Sequence, residues 1–173
     1  MMIKNPQWYV LHTKSRFESI ANDLLFKKSF EVFLPKIRVK SKRRDRRVML
    51  RVPLFPGYLF VKTELDPYQR LEILKTAGVV RFIGNKMGAV SVASKTVESL
   101  QIMVAGDNTV LTGTKFKEGD RVAVIYGPFT GVMGSFVRYR GKDRVVVNIE
   151  ALGQFAAVDV SEDCVEKLPE ILS

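Results

Sequence analysis

Apolar and polar positions along the chain fall into two regimes, mixed helix and strand first and short strands afterwards. Trp8 to Thr13 is aromatic and β-branched after a short polar leader, which predicts a strand. Phe17, Ile20, Ala21, Leu24 and Leu25 then recur at helical spacing, with Asp23, Lys27 and Lys28 off the stripe. Ser15, with Glu18 three residues on, gives this helix a capping-box signature. After Val32-Phe33-Leu34 and Pro35, Ile37 and Val39 alternate with Lys36, Arg38 and Lys40. Val48, Leu50 and Val52 alternate in the same way with Met49 and Arg51. Each arm has one apolar face, so the two predict a β-hairpin with Ser41 to Arg47 at its tip. A further strand, Tyr58 to Val61, opens from Pro56-Gly57. Asp66-Pro67 marks a helix start, Leu71 and Leu74 keep its spacing, and Gly78 stands beyond its end. Val79 to Ile83 reads as a strand, and a third helix from Ser94 carries Val97, Leu100, Gln101 and Val104.

Ala105 to Thr114 has no clear period and reads as a linker. Beyond it, Arg121 to Ile125, Val132 to Tyr139, Arg144 to Ile149 and Phe155 to Val160 predict four or five short strands. The expected fold class is therefore α+β. An α/β sandwich of helices on a mainly antiparallel sheet occupies 1–104, 105–114 is the linker, and a small β-barrel occupies 115–173.

Charge sharpens this division. In Lys36 to Arg51, nine of sixteen residues are Lys or Arg and only Asp45 is acidic, so the stretch carries +8 of the chain's formal +10. Residues 1–113 hold 20 basic and 9 acidic groups, and 114–173 hold 8 and 9. A cationic block concentrated at one hairpin tip, with near-neutrality elsewhere, points to nucleic acid. Lys40, Lys42, Arg43, Arg44, Arg46 and Arg47 are the candidate phosphate contacts.

The remaining composition excludes more than it suggests. A hydrophobic fraction of 46% fits a chain that folds and buries a core. No apolar run approaches the ~18 residues of a membrane span, and the start has no signal-peptide pattern, so a cytoplasmic protein without membrane contact is expected. Cys164 is the single cysteine, which leaves no disulfide framework and no cysteine-based metal site. His12 is the single histidine, placed within a strand. With no nucleophile elbow, phosphate loop or metal-ligand cluster, no enzyme, cofactor or metal is expected.

The motifs WYVLHTKS, the basic hairpin, FPGYLFVK and AGVVRFIG, followed by EGDRVAVIYGPFTGVMGSF and VVVNI, resemble the NusG family of bacterial transcription elongation factors. The resemblance covers nearly the whole chain. It implies an NGN domain followed by a KOW domain with an SH3-like barrel. LPKIRVKSKRRDRRVMLRVPLFPGYLFV is most similar to the specialised RfaH-like and UpxY-like antiterminators. The family implies binding to the clamp helices of RNA polymerase, suppression of pausing or termination, and a hairpin facing the non-template strand or upstream duplex. Trp8, Phe55, Pro56, Gly57 and Tyr58 match its apolar polymerase patch. Phe55 and Tyr58, flanking a turn, are expected to be exposed, whereas Trp8 fits core and contact alike. For the barrel the resemblance implies a protein partner, either termination factor Rho or a small-subunit ribosomal protein. Its candidate contacts are Phe129, Leu152 and Phe155, with Leu152 and Gln154 standing where the housekeeping pattern has Phe and Arg. An RNA- or ribosome-binding KOW module is the alternative reading.

The RfaH-like branch also raises a barrel that refolds from a helical hairpin. Three consecutive valines at Val145 to Val147, with Gly127, Pro128, Gly131 and Gly134 nearby, disfavour helix and predict a permanent barrel.

Overall fold

The computed structural model describes residues 4–42, 48–114 and 119–168. They form two compact units, Met1–Ala93 and Ser94–Ser173. The first contains strands β1 (Gln7–Thr13), β2 (Glu31–Phe33), β3 (Lys36–Lys40), β4 (Met49–Pro53), β5 (Tyr58–Thr63) and β6 (Val79–Phe82). Helices α1 (Glu18–Lys27) and α2 (Pro67–Leu74) lie among them, and three two-residue strands follow: β7 (Gly84–Asn85), β8 (Gly88–Ala89) and β9 (Ser91–Val92).

β1 is the hub of an antiparallel sheet ordered β2-β5-β1-β6, with β9 also paired to β1. Its register with β5 runs from Gln7 opposite Thr63 to His12 opposite Tyr58. Strand alternation sends Leu11, Leu59 and Val61 to one face, where Ala21 and Leu25 of α1 and Ile73 of α2 complete the core. The other face buries Trp8, Val10 and Phe60. The predicted α1 stripe is wider than the face that packs: Ala21 and Leu25 are buried, while Phe17 and Ile20 are exposed. Phe17 instead covers Gly78, where an added Cβ would meet the Phe17 Cβ at 2.8 Å. The α2 start is as read, with Asp66 Oδ1 accepting from the Gln69 N–H at 2.9 Å and Pro67 in the first turn.

β3 and β4 form a separate two-stranded ribbon. Ile37 faces Val52 and Val39 faces Leu50, so the apolar positions of both arms share one side. Arg38 faces Arg51, and Lys36 and Lys40 share their side. The expected hairpin is thus present, while its tip residues Arg43 to Arg47 lie outside the described residues.

The second unit holds α3 (Ser94–Val104), β10 (Leu111–Thr114), β11 (Asp120–Val124), β12 (Met133–Tyr139), β13 (Lys142–Ile149), β14 (Gln154–Asp159) and β15 (Val165–Lys167). Among the described residues six antiparallel strands run in the order β10-β14-β13-β12-β11-β15, one more than the sequence pattern suggests at most. The division between units falls differently from the sequence reading, which put α3 in the first domain and a linker over 105–114. α3 packs against β12 and β13, with Ser99 Oγ accepting from the Met133 N–H at 3.2 Å. β10 pairs with β14, so part of the supposed linker is sheet. Val145, Val146 and Val147 are all buried, hence both faces of β13 are covered. That is why this strand reads as an unbroken apolar run rather than an alternation.

Gly134 permits the tight β12–β13 approach, since a Cβ there would stand 2.3 Å from the Val146 carbonyl oxygen. Gly134→Ala should therefore force the strands apart and cost about 1–3 kcal/mol. Chemical denaturation of the purified chain checks this; an unchanged midpoint for the second unit would show that the strands give way freely.

Candidate docking turn and nucleic-acid interface

β4 ends at Pro53 and β5 begins at Tyr58, leaving Leu54 to Gly57 to reverse the chain. The Tyr58 N–H donates to the Phe55 carbonyl at 3.1 Å. Pro56 and Gly57 are the two central residues, and Gly57 has φ +84°. This is a type II turn, whose second central residue needs positive φ and whose first suits proline. The flanking side chains divide sharply. Leu54 and Phe55 are buried, at 5% and 2% exposure, whereas Pro56 is exposed and Gly57 and Tyr58 are half-buried.

The expectation that Phe55 is exposed is not met. Its ring is withdrawn from solvent together with the Leu54 side chain, so two buried residues in succession lead into the turn. Trp8, left open between core and contact, is 5% exposed. It lies opposite Lys62, whose Nζ sits 5.9 Å from the indole centroid. Along this face burial runs from Trp8 through Val10 and Phe60 and opens at His12 and Tyr58. Those two are cross-strand partners, with ring centroids 5.4 Å apart. The surface offered at this end is therefore Pro56, the Gly57 backbone, Tyr58 and His12.

His12 was read only as a strand residue, and its register opposite Tyr58 is what brings it here. Glu18 was missed in a more instructive way. It is 7% exposed and its Oε1 accepts from the Gly57 N–H at 2.8 Å. The capping box expected from Ser15 and Glu18 is absent: Phe17 is the N-cap and makes no side-chain cap. The carboxylate is spent on the distant turn instead of on its own helix end. The Gly57 carbonyl accepts from the Thr13 N–H at 2.8 Å, so both backbone polar groups of Gly57 are satisfied.

On the ribbon, Lys40 and Lys42 are exposed, and Arg38 and Arg51 extend the cationic side down the strands. Arg38 and Arg51 stand directly opposite one another on that side. Lys36 Nζ donates to Ser19 Oγ at 2.9 Å at the base. Arg43, Arg44, Arg46 and Arg47 lie outside the described residues.

The second unit handles charge in the opposite way. Arg138 pairs with Asp143 at 2.7 Å and Glu162 at 3.2 Å, Arg144 with Asp159 at 2.7 Å, and Lys142 and Lys167 with Asp159 and Asp120. The Asp143 hydrogen bond, then the charges of Asp143 and Glu162, hold the Arg138 guanidinium above its usual range. Of the barrel contacts implied by the resemblance, Phe129 is buried at 7% exposure, which removes it from the surface. Phe155 is half-buried, its ring lying so close to Gly113 that a Cβ there would sit 2.7 Å away. Leu152, in a short 3₁₀ turn, is half-exposed. Tyr126 at 66% and Ile125 at 39% are the exposed apolar side chains at the β11–β12 turn, which the sequence reading passed over.

Comparison with known proteins bears on this geometry. The family model "Transcription termination factor nusG" matches residues 6–101, through most of α3. A Thermus thermophilus protein named transcription termination/antitermination protein NusG is 32% identical over 169 residues, spanning 83% of this chain and 89% of the relative. A protein of the same name from Helicobacter pylori J99 is 27% identical over 175 residues, spanning 93% and 98%. The structure described as the domain interaction in Thermotoga maritima NusG matches in fold, with a TM-score of 0.54 at 23% identity over 95% of this chain and 98% of that one.

Proposed function

The chain belongs to the NusG family of transcription factors, and from that premise we propose that it is an elongation and antitermination factor of the specialised RfaH-like or UpxY-like kind. Its first unit docks on the clamp helices of RNA polymerase through the Pro56–Gly57–Tyr58 turn. The ribbon rests on DNA of the elongation complex, either the non-template strand or the upstream duplex. The observation that carries this reading is the turn itself. It offers one exposed proline, one half-exposed tyrosine and a glycine backbone on buried anchors, at the foot of a cationic ribbon. An amphipathic helix pair needs an apolar surface of this kind to receive its own apolar face. Cations along a ribbon neutralise phosphates without reading bases, so they give affinity and position rather than sequence preference.

The second unit serves a protein partner, with termination factor Rho and a small-subunit ribosomal protein as candidates. Its cations are largely consumed by its own carboxylates, which argues against a phosphate-binding barrel. Leu152 and Tyr126 are the side chains best placed to meet such a partner. A stand-alone RNA- or ribosome-binding module is the competing reading. Recovery of ribosomes but not RNA polymerase in a pull-down with the full chain would favour it.

Two measurements test the docking reading. Aromatic anchors commonly cost about 2 kcal/mol on truncation, so Tyr58→Ala should weaken polymerase binding roughly thirtyfold while the chain stays folded. Wild-type affinity, or loss of the fold, would remove Tyr58 from the contact. For the ribbon, engagement of about four to five phosphates predicts log affinity falling with log salt at a slope of roughly −3 to −4.5. Joint replacement of Arg43, Arg44, Arg46 and Arg47 by Ser should flatten the slope and weaken all DNA sequences alike. An unchanged slope would show that the tip only keeps the protein in solution.

A further inference from the structure

We infer that Glu18 is a positioning residue for partner docking: its carboxylate, on the first turn of α1, holds the Gly57 amide and thereby fixes the surface that Tyr58 and Pro56 present. This rests on the docking reading above. Several observations converge on it. The acceptor is 2.8 Å from the Gly57 nitrogen and comes from 39 residues away in the chain, so the contact is tertiary and not a by-product of local structure. Glu18 is 7% exposed, and a carboxylate that far from water is stabilised by a hydrogen bond to it and by the positive end of a helix dipole. It has both, as the first residue of α1.

The turn has reason to need such a tie. Gly57 sits at φ +84°, and glycine is the residue with the most alternative conformations to visit. In a type II turn the peptide between the two central residues can flip, which moves the Gly57 N–H to the other side of the chain. An acceptor fixed to a helix and aimed at that N–H selects one orientation. The other side of the residue is held too, because the Gly57 carbonyl takes the Thr13 N–H at 2.8 Å. Thr13 adjoins His12, which stacks against Tyr58 at 5.4 Å. α1, the end of β1 and the turn therefore form one closed set of contacts around Gly57. Preorganisation of this sort raises affinity by removing the ordering cost from the binding step.

The test compares Glu18→Ala with Glu18→Gln, whose amide oxygen remains an acceptor, and uses Tyr58→Ala as the reference. Three properties of the full chain are read: Gly57 amide hydrogen exchange, affinity for RNA polymerase, and affinity for a DNA duplex. Glu18→Ala should speed Gly57 exchange and weaken polymerase binding, each about tenfold, with duplex affinity unchanged. Glu18→Gln should bring both back to near the wild-type values. A Glu18→Ala variant that loses duplex affinity in step with polymerase affinity overturns the inference, since Glu18 would then support the fold of the whole unit. Should Glu18→Ala fail to fold, Glu18→Asp, one methylene short of the amide, is read by the same criteria.

Wild-type polymerase affinity in Glu18→Ala, while Tyr58→Ala binds weakly, overturns the inference and leaves the docking reading standing. Wild-type affinity in both overturns the two together. Unchanged Gly57 exchange in Glu18→Ala, or a Glu18→Gln variant as impaired as the alanine, also overturns it, since the hydrogen bond would then not hold the turn.

Discussion

The pairing of β1 with β5 is the constraint on which the first unit depends. A slip of one residue in an antiparallel pair turns every side chain to the opposite face. Here that would send Leu59 and Val61 away from Ala21, Leu25 and Ile73, so the helical core fixes the register. The same register sets His12 against Tyr58 and Trp8 against Lys62 on the other face. The surface at His12 and Tyr58 is thereby positioned by the α1–α2 core. The turn before β5 is fixed at its end by the register and at its start by Leu54, whose N–H donates to the Pro35 carbonyl at 2.8 Å, and the peptide between Pro56 and Gly57 is left for Glu18 to hold.

Charge and hydrophobicity are separated across the ribbon by the same strand geometry. With Ile37, Val39, Leu50 and Val52 on one side, the alternate positions are left to Lys36, Arg38, Lys40 and Arg51. The cations are therefore arrayed on a surface, and the alternation that makes the hairpin also makes the array. In the second unit, Arg138 and Arg144 stand directly across β12–β13 and β13–β14 from Asp143 and Asp159. Exposed pairs of this kind add little stability. Their consequence here is electrostatic: the charges of Arg138 and Arg144 are offset beside them, while Lys36 to Arg51 carries +8 of the chain's formal +10.

How much of this was legible in the sequence depended on the range of the interaction involved. The hairpin, the Asp66-Pro67 helix start and the Val145 to Val147 strand follow from neighbours a few residues apart. Phe55 was misjudged because a turn residue is exposed by local rules, whereas its burial is decided by packing after folding. Glu18 was misread for a related reason. Ser15 and Glu18 have the spacing of a capping box, but a backbone N–H that becomes available only after folding competes for the carboxylate. β10 escaped because its four residues carry no period, and β14 supplies what pairs them. α3 shows the same limit at larger scale. Its apolar stripe, with Met103 buried in place of the expected Gln101, says that it packs on something without saying on what.

The proximity of turn and ribbon bears on how tightly either has to bind. Only Leu54 to Gly57 separate β4 from β5, so in the proposed docking a protein surface at Tyr58 and a phosphate chain along Arg51 would be met by one continuous segment. Two contacts on a short, ordered connection act at high effective concentration, and each can be weak alone. The turn is small, with a single tyrosine and a single proline as its apolar contribution, and electrostatic contact with phosphate is attenuated by salt. Set four residues apart, the two proposed contacts would be made together only where protein helix and polyanion lie side by side. On the proposed reading, selectivity for an assembled transcription complex would arise from the spacing of two contacts that are each non-selective, the ribbon meeting phosphate and the turn a protein surface.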